Sequence, residues 1–258
     1  MDKQAEDRRD FVEALARGLD ILVVCANAPN GIRLADVARQ TGTTRASARR
    51  SLLTLAAKGF LVADEGGFRL TPKVLTLAAP LLSAPLPRLA QPILDQLSAR
   101  FGESFSLAAL AGQDIVYLAR SEARRIIALD LTVGSRLPAW CTSMGRVLIA
   151  GLPPHEREAL LPDTLVLRTP RTITDRRSLL AVLEQVGRDG YCLLDEELEQ
   201  GLRSLAVPVR HPDGRVAAAL NVSTQTARTD RDTLLQQVLP ALDEAARSIA
   251  PAIPGQRS

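Results

Sequence analysis

The sequence predicts an α+β protein of two domains, a small helical unit at the N-terminus and a larger unit built on an antiparallel sheet. Three observations predict it. Apolar residues recur at helical spacing over residues 11–59 and give way to a hairpin signal at 60–70. Pro72, Pro80, Pro85, Pro87 and Pro92 then break the chain repeatedly. From residue 105 onward, short apolar runs alternate with turns and helical stretches. This order assigns residues 1–71 to the first domain, 72–97 to a linker and 98–258 to the second.

The elements follow in order. Val12, Leu15, Leu19 and Leu22 put a first helix over residues 11–26, ended by Asn27, Pro29 and Gly31. Leu34, Val37 and Ala38 share one face of a short second helix over 34–40, and Gly42 sits where a departing chain takes positive φ. Thr43 or Thr44 caps a third helix, in which Ala48, Leu52 and Leu55 form an inward stripe, and Gly59 closes it. Residues 60–70 hold two apolar runs around an Asp64-Glu65-Gly66-Gly67 tip, a hairpin. Helix, helix, turn, helix, hairpin is the winged helix-turn-helix order. The apolar stretch 74–82 reads as a linker helix. Residues 105–110, 114–120 and 125–129 are strand-like, and 204–209 and 215–223 flank the turn His211-Pro212-Asp213-Gly214 as an antiparallel hairpin. Helical patterns cover 142–151, 154–161, 175–189 and 230–250.

Composition narrows the function classes. The chain has 258 residues, 46% hydrophobic and 24% charged, and carries no apolar run long enough to span a bilayer. The charged N-terminus lacks the apolar core of a signal peptide, so a cytoplasmic location with no membrane partner is expected. Cys25, Cys141 and Cys192, with only His155 and His211 beside them, form no metal-ligand or disulfide pattern, and no cofactor is expected. The formal net charge is only +3. Its placement matters more: residues 31–75 hold Arg33, Arg39, Arg45, Arg49, Arg50, Lys58, Arg69 and Lys73 against Asp36, Asp64 and Glu65, whereas the chain beyond residue 86 is balanced.

A basic footprint on a trihelical unit points to double-stranded DNA. A recognition helix keeps one face in its core while its N-terminal residues reach base edges in the major groove. Arg45 and Arg49 lie one turn apart, and arginine can bond guanine at two atoms or pair with phosphate. Thr44, Arg45, Ala46 and Arg49 are therefore expected nearest the bases, Thr43, Ser47 and Arg50 on the backbone, and Arg33 and Arg69 as further phosphate contacts. The plain alternative for each arginine is a solvated helix face.

With these motifs in place, the sequence resembles the IclR family of bacterial transcriptional regulators over nearly its whole length. The resemblance rests on residues 11–19, the helix-turn-helix at 34–59, the stretch Leu137-Pro138-Ala139-Trp140-Cys141-Thr142-Ser143-Met144-Gly145-Arg146, and Gly190-Tyr191 through Glu197 to residues 201–208. The opening segment and residues 201–208 resemble the branch that controls protocatechuate, p-hydroxybenzoate and related aromatic-acid pathways. The resemblance implies a GAF-like effector domain, a small aromatic acid as effector, and a dimer joined partly through the DNA-binding regions, or a tetramer.

Residues 137–146 are the expected ligand wall. A helix N-terminus presents free N–H groups that favour an anion, so a carboxylate is placed near Thr142, Ser143 and Gly145 or on Arg146, with the carbon skeleton on Trp140 and Met144 beside Cys141. The resemblance adds Glu197, Arg203, Leu205, Asn221 and Ser223. Each has a structural alternative: Trp140 and Cys141 as core, Thr142 or Ser143 as a cap. Neither Cys141 nor Cys192 has a neighbouring motif that would activate it with His155 or His211, so no catalytic residue is expected. The other class of function considered is a ligand sensor that acts through protein partners.

Overall fold

The computed structural model describes residues 11–122 and 131–253. The chain divides into two compact units between Leu81 and Leu82. The strand-like run 125–129 lies outside the described residues.

The first unit holds α1 (Glu13–Ala26), α2 (Leu34–Gln40), α3 (Arg45–Ala57) and the antiparallel pair β1 (Leu61–Asp64) and β2 (Gly67–Leu70). Gly42, at φ +63°, turns the chain between α2 and α3. The Thr44 hydroxyl then accepts from Ser47 N at 3.2 Å and starts α3, the cap expected of Thr43 or Thr44. Ile21, Cys25, Val37, Ala38, Ala48, Leu52 and Leu61 make the core that holds the three helices and the hairpin together. A short 3₁₀ turn (Pro72–Val74) leads into α4 (Leu75–Leu82).

The second unit opens with α5 (Pro85–Phe101). This corrects the extent of the linker. Residues 85–97 are not a connector, because Ala90, Leu94 and Leu97 of α5 are buried against Phe105, Leu107, Leu205 and Leu220. Pro85 and Pro87 stand in the first turn of α5, where a missing N–H costs nothing. Its end is marked by Gly102 in the left-handed region.

Six strands follow: β3 (Ser104–Ala111), β4 (Asp114–Ser121), β5 (Arg136–Pro138), β6 (Cys192–Asp195), β7 (Leu202–Arg210) and β8 (Val216–Gln225). They form one antiparallel sheet in the order β5-β4-β3-β8-β7-β6. β5 and β6 are short edge strands that the sequence pattern does not reveal. Alternation divides the sheet into two buried faces. One carries Phe105, Leu205, Val207, Leu220 and Val222 and packs on α5 and on the C-terminal helical run of α9 (Arg231–Thr233), a π turn (Leu234–Val238) and α10 (Leu239–Ile249). The other carries Ala108, Ile115, Tyr117, Ala206 and Ala219 and packs on α6 (Ser143–Ala150) and α8 (Arg176–Asp189), with α7 (Pro154–Leu160) alongside.

Candidate nucleic-acid interface and effector cavity

On α3 the division of labour comes from helical period. Ala48 and Leu52 point into the core, which turns Arg45, Ala46, Arg49 and Arg50 to solvent. Arg45, Arg49 and Arg50 pair with no carboxylate among the described residues, so their charges are available to a polyanion. Thr43 and Ser47 are half-buried beside them, and Arg33, exposed, precedes α2. Arg69 differs: on the wing its Nη2 lies 2.6 Å from Asp64 Oδ2. That guanidinium also draws the Asp64 carboxyl below its usual range, ahead of the bond from Gly66 N. Arg39 pairs with Asp36 at 2.8 Å, and Lys73 donates to Lys58 O at 2.7 Å. Contacts within the unit thus sort eight clustered basic residues into those already engaged and those free to bind.

In the second unit a cavity of about 310 Å³ opens between one end of the sheet and the start of α6. Its floor follows from strand register. Ser104, Ser223 and Ser204 lie side by side on β3, β8 and β7, and Arg120, Ser106 and Asn221 form the next row. Such cross-strand neighbours stand about 5 Å apart, so a small ligand meets several at once. Arg120, only 8% exposed at its side chain, donates from Nη1 to Ser106 Oγ at 3.1 Å and from Nε to Glu122 at 2.9 Å. Its Nη2 has no partner among the described residues.

Tyr117 stands under that guanidinium, 5.8 Å from ring centre to Cζ. Burial pushes the Tyr117 phenol up to about 12, so it stays a hydrogen-bond donor at neutral pH. The hydroxyls of Tyr117, Ser143 and Ser204 bond to no protein atom among the described residues, and the buried Oδ1 of Asn221 is also without a partner. Leu131, Leu137, Met144, Leu198 and Leu202 supply apolar walls, and Glu103 adds one buried carboxylate that accepts from Thr229. A polar floor under apolar walls suits a flat molecule with a charged end.

Of the residues expected to touch a ligand, Thr142, Ser143, Met144, Asn221 and Ser223 line this cavity; Trp140, Cys141, Arg146, Glu197, Arg203 and Leu205 do not. The reasons are physical. Trp140 and Cys141 are in the core. Arg146, 2% exposed, is engaged at all three nitrogens inside the protein: Nε donates to Trp140 O at 2.9 Å, and Nη1 and Nη2 to the two oxygens of Glu197 at 2.7 and 2.6 Å. Its charge is already met by the Glu197 carboxylate. Arg203 pairs with Asp195 at 2.9 Å and, with Leu205, belongs to the opposite face of the sheet. The Thr142 hydroxyl caps α6 by accepting from Gly145 N at 3.1 Å while still facing the cavity. Arg120, Tyr117, Ser104 and Ser204 escape the sequence reading because only register brings them together.

Cys141 and Cys192 are both free and buried. Burial raises their thiols to about 11 and about 12, so both are neutral at physiological pH.

Comparison with known proteins gives the following. Residues 14–65 match the IclR helix-turn-helix domain, and residues 78–251 match the bacterial transcriptional regulator IclR C-terminal domain. The chain is 45% identical to the Pca regulon regulatory protein of Pseudomonas putida, over 93% of this chain and 84% of that protein. It is 38% identical to the p-hydroxybenzoate hydroxylase transcriptional activator of Acinetobacter baylyi, over 93% and 91% of the respective lengths. Among solved structures, it is similar to the inducer-binding domain of a PobR double mutant from Acinetobacter in complex with 3-hydroxybenzoic acid. That match has a TM-score of 0.62 and 35% identity, over 65% of this chain and 98% of the other.

Proposed function

Because the chain belongs to the IclR family of bacterial transcriptional regulators, binding DNA through its helix-turn-helix and regulating rather than catalysing, we propose that its effector is an aromatic hydroxy acid, p-hydroxybenzoate or protocatechuate, and that it controls genes for degrading that acid. The observation that carries this reading is Arg120: a nearly buried guanidinium whose Nη2 has no partner among the described residues, set in a cavity with a hydroxyl floor and leucine and methionine walls. Its carboxylate docks on Arg120, where a charge-assisted bond is stronger than a neutral one. The ring lies along Met144 and Leu137, and ring hydroxyls meet Ser143, Ser204, Tyr117 or Asn221. The relatives named for the Pca regulon and for p-hydroxybenzoate hydroxylase, and the 3-hydroxybenzoic acid complex, support an effector of this class.

On DNA, Thr44, Arg45, Ala46 and Arg49 of α3 face the bases, and Thr43, Ser47, Arg50 and Arg33 the phosphates. Arg69 contributes only if it leaves Asp64. A dimer presents two such helices to two half-sites. The exposed apolar stripe of Leu15, Leu19 and Val23 on α1, with Val12 just before it, favours pairing, since a contiguous apolar face gains by leaving water. The test is selection of binding sites from random duplexes by the full protein, followed by affinity measurements across salt and acid concentrations. Expected are a sequence with two related half-sites, an affinity that falls steeply with salt, and a shift in that affinity on adding the acid. Failure to enrich any sequence, or an affinity indifferent to every aromatic acid tried, contradicts the reading.

A further inference from the structure

The effector cavity takes up one end of the sheet's α6-covered face, and the other end of that face holds a second cavity, of about 370 Å³. Three arginines from three separate elements line it: Arg157 of α7, half-buried, and Arg188 of α8 and Arg210 at the end of β7, both exposed. Each is steadied by one bond to a neutral oxygen, Arg157 Nε to Leu152 O at 2.7 Å, Arg188 Nη2 to Gln185 Oε1 at 2.7 Å and Arg210 Nη1 to Gly214 O at 3.0 Å. The remaining donors on each guanidinium have no carboxylate within ion-pair distance among the described residues. Among the described residues Glu184 is the single acid on the wall, and it pairs with none of them. Like charges lining one concave space raise its potential for anions.

We propose that this cavity is a second ligand site, for a small multiply charged oxyanion. Its oxygens would accept from the free edges of the three guanidiniums, a geometry that phosphate and carboxylate groups share. A phosphorylated metabolite and a di- or tricarboxylate both carry that chemistry. The monoanionic aromatic acid of the first cavity does not match a site with three cations.

The site has a route to the effector cavity. α6, eight residues and so about 12 Å long, ends in a wall of each: Ser143 and Met144 face the first, Ala150 with the adjoining Gly151 the second. The helix is wedged at both ends. A Cβ at Gly145 would fall within the backbone of Ala139, and one at Gly151 within the Val216 side chain. All eight of its residues are buried. A displacement at one end is thus carried to the other, and by linkage an anion that shifts α6 changes acid affinity by the same factor as the acid changes anion affinity.

The experiment is calorimetric titration of the full chain, in about 0.15 M salt, with inorganic pyrophosphate and with citrate. Three proteins are compared: the unmodified chain, R157Q/R210Q and R45Q/R49Q. The last controls for anion uptake by the DNA-reading helix. One anion is expected to saturate a single site per chain, at least tenfold more weakly in R157Q/R210Q and unchanged in R45Q/R49Q. Tighter pyrophosphate assigns the site to phosphate esters, and tighter citrate to polycarboxylates. Because Arg157 also braces Leu152, R188Q/R210Q is run in parallel with thermal melts, so that loss of binding is read in a folded protein. No uptake of either anion at millimolar concentration, or uptake that survives both cavity variants, overturns the proposal.

Discussion

Arg146 and Arg120 are both nearly buried arginines near the same cavity, yet their partners assign them different work. Arg146 is bound at three nitrogens, two of them to Glu197, whose Oε2 also accepts from Ile173 N at 3.1 Å. It ties α6 to the segment that continues into the cavity wall at Leu198. Breaking a buried pair strands the other charge, at a cost of about 3 to 5 kcal/mol. Arg146→Met is therefore expected to lower the melting temperature of the protein by several degrees or more, as read by thermal melting; an unaltered melt would mean the pair is not buried in solution. Arg120 has an Nη2 with no partner among the described residues, and its removal should act on ligand affinity instead. The thiols supply a second check at this scale. Only the thiolate is alkylated, and burial holds Cys141 near 11 and Cys192 near 12. Both should resist iodoacetamide at pH 7 to 9 in the folded protein; rapid labelling of either at pH 8 would contradict their burial.

Within single elements, α3 and α1 each separate a buried stripe from an exposed one. On α3 the exposed stripe is cationic. Arg49→Ala is expected to weaken operator binding by about 1 to 3 kcal/mol if it reads a base, or to reduce the salt slope by about one if it meets a phosphate, with effector affinity unchanged. Measuring DNA affinity across salt concentrations separates these outcomes, and no change in either sets Arg49 outside the interface. On α1 the exposed stripe is apolar: Leu15 and Leu19 are 62% and 55% exposed in the single chain. Leu15→Asp with Leu19→Asp should shift sedimentation toward a smaller species. An oligomer unaffected by both changes would place the interface elsewhere.

At the scale of the whole molecule, what the sequence discloses depends on how far apart the cooperating residues lie. The trihelical core is legible because Ala48, Leu52 and Leu55 recur within one helix, and the cap at Thr44 and the turn at Gly42 are local chemistry. The start of α6 is legible as a cavity wall for the same reason. The cavity floor is not: Ser104, Ser204 and Ser223 become neighbours only through the pairing of β3, β8 and β7. Arg146 looks like an anion ligand until Glu197 is brought beside it from 51 positions away. The proline-rich stretch 72–97 misleads in the other direction, since prolines in the first turn of α5 fit a helix that belongs to the second unit's core. The central claim, that an aromatic acid binds on Arg120, is tested most directly by calorimetric titration of p-hydroxybenzoate and protocatechuate into the full chain and into Arg120→Met. The account predicts one saturable site per chain for at least one of these acids, weakened by roughly tenfold to a hundredfold in Arg120→Met, the equivalent of a lost charged hydrogen bond, with an unaltered thermal melt. Binding of equal strength to both proteins, or to neither, would contradict it.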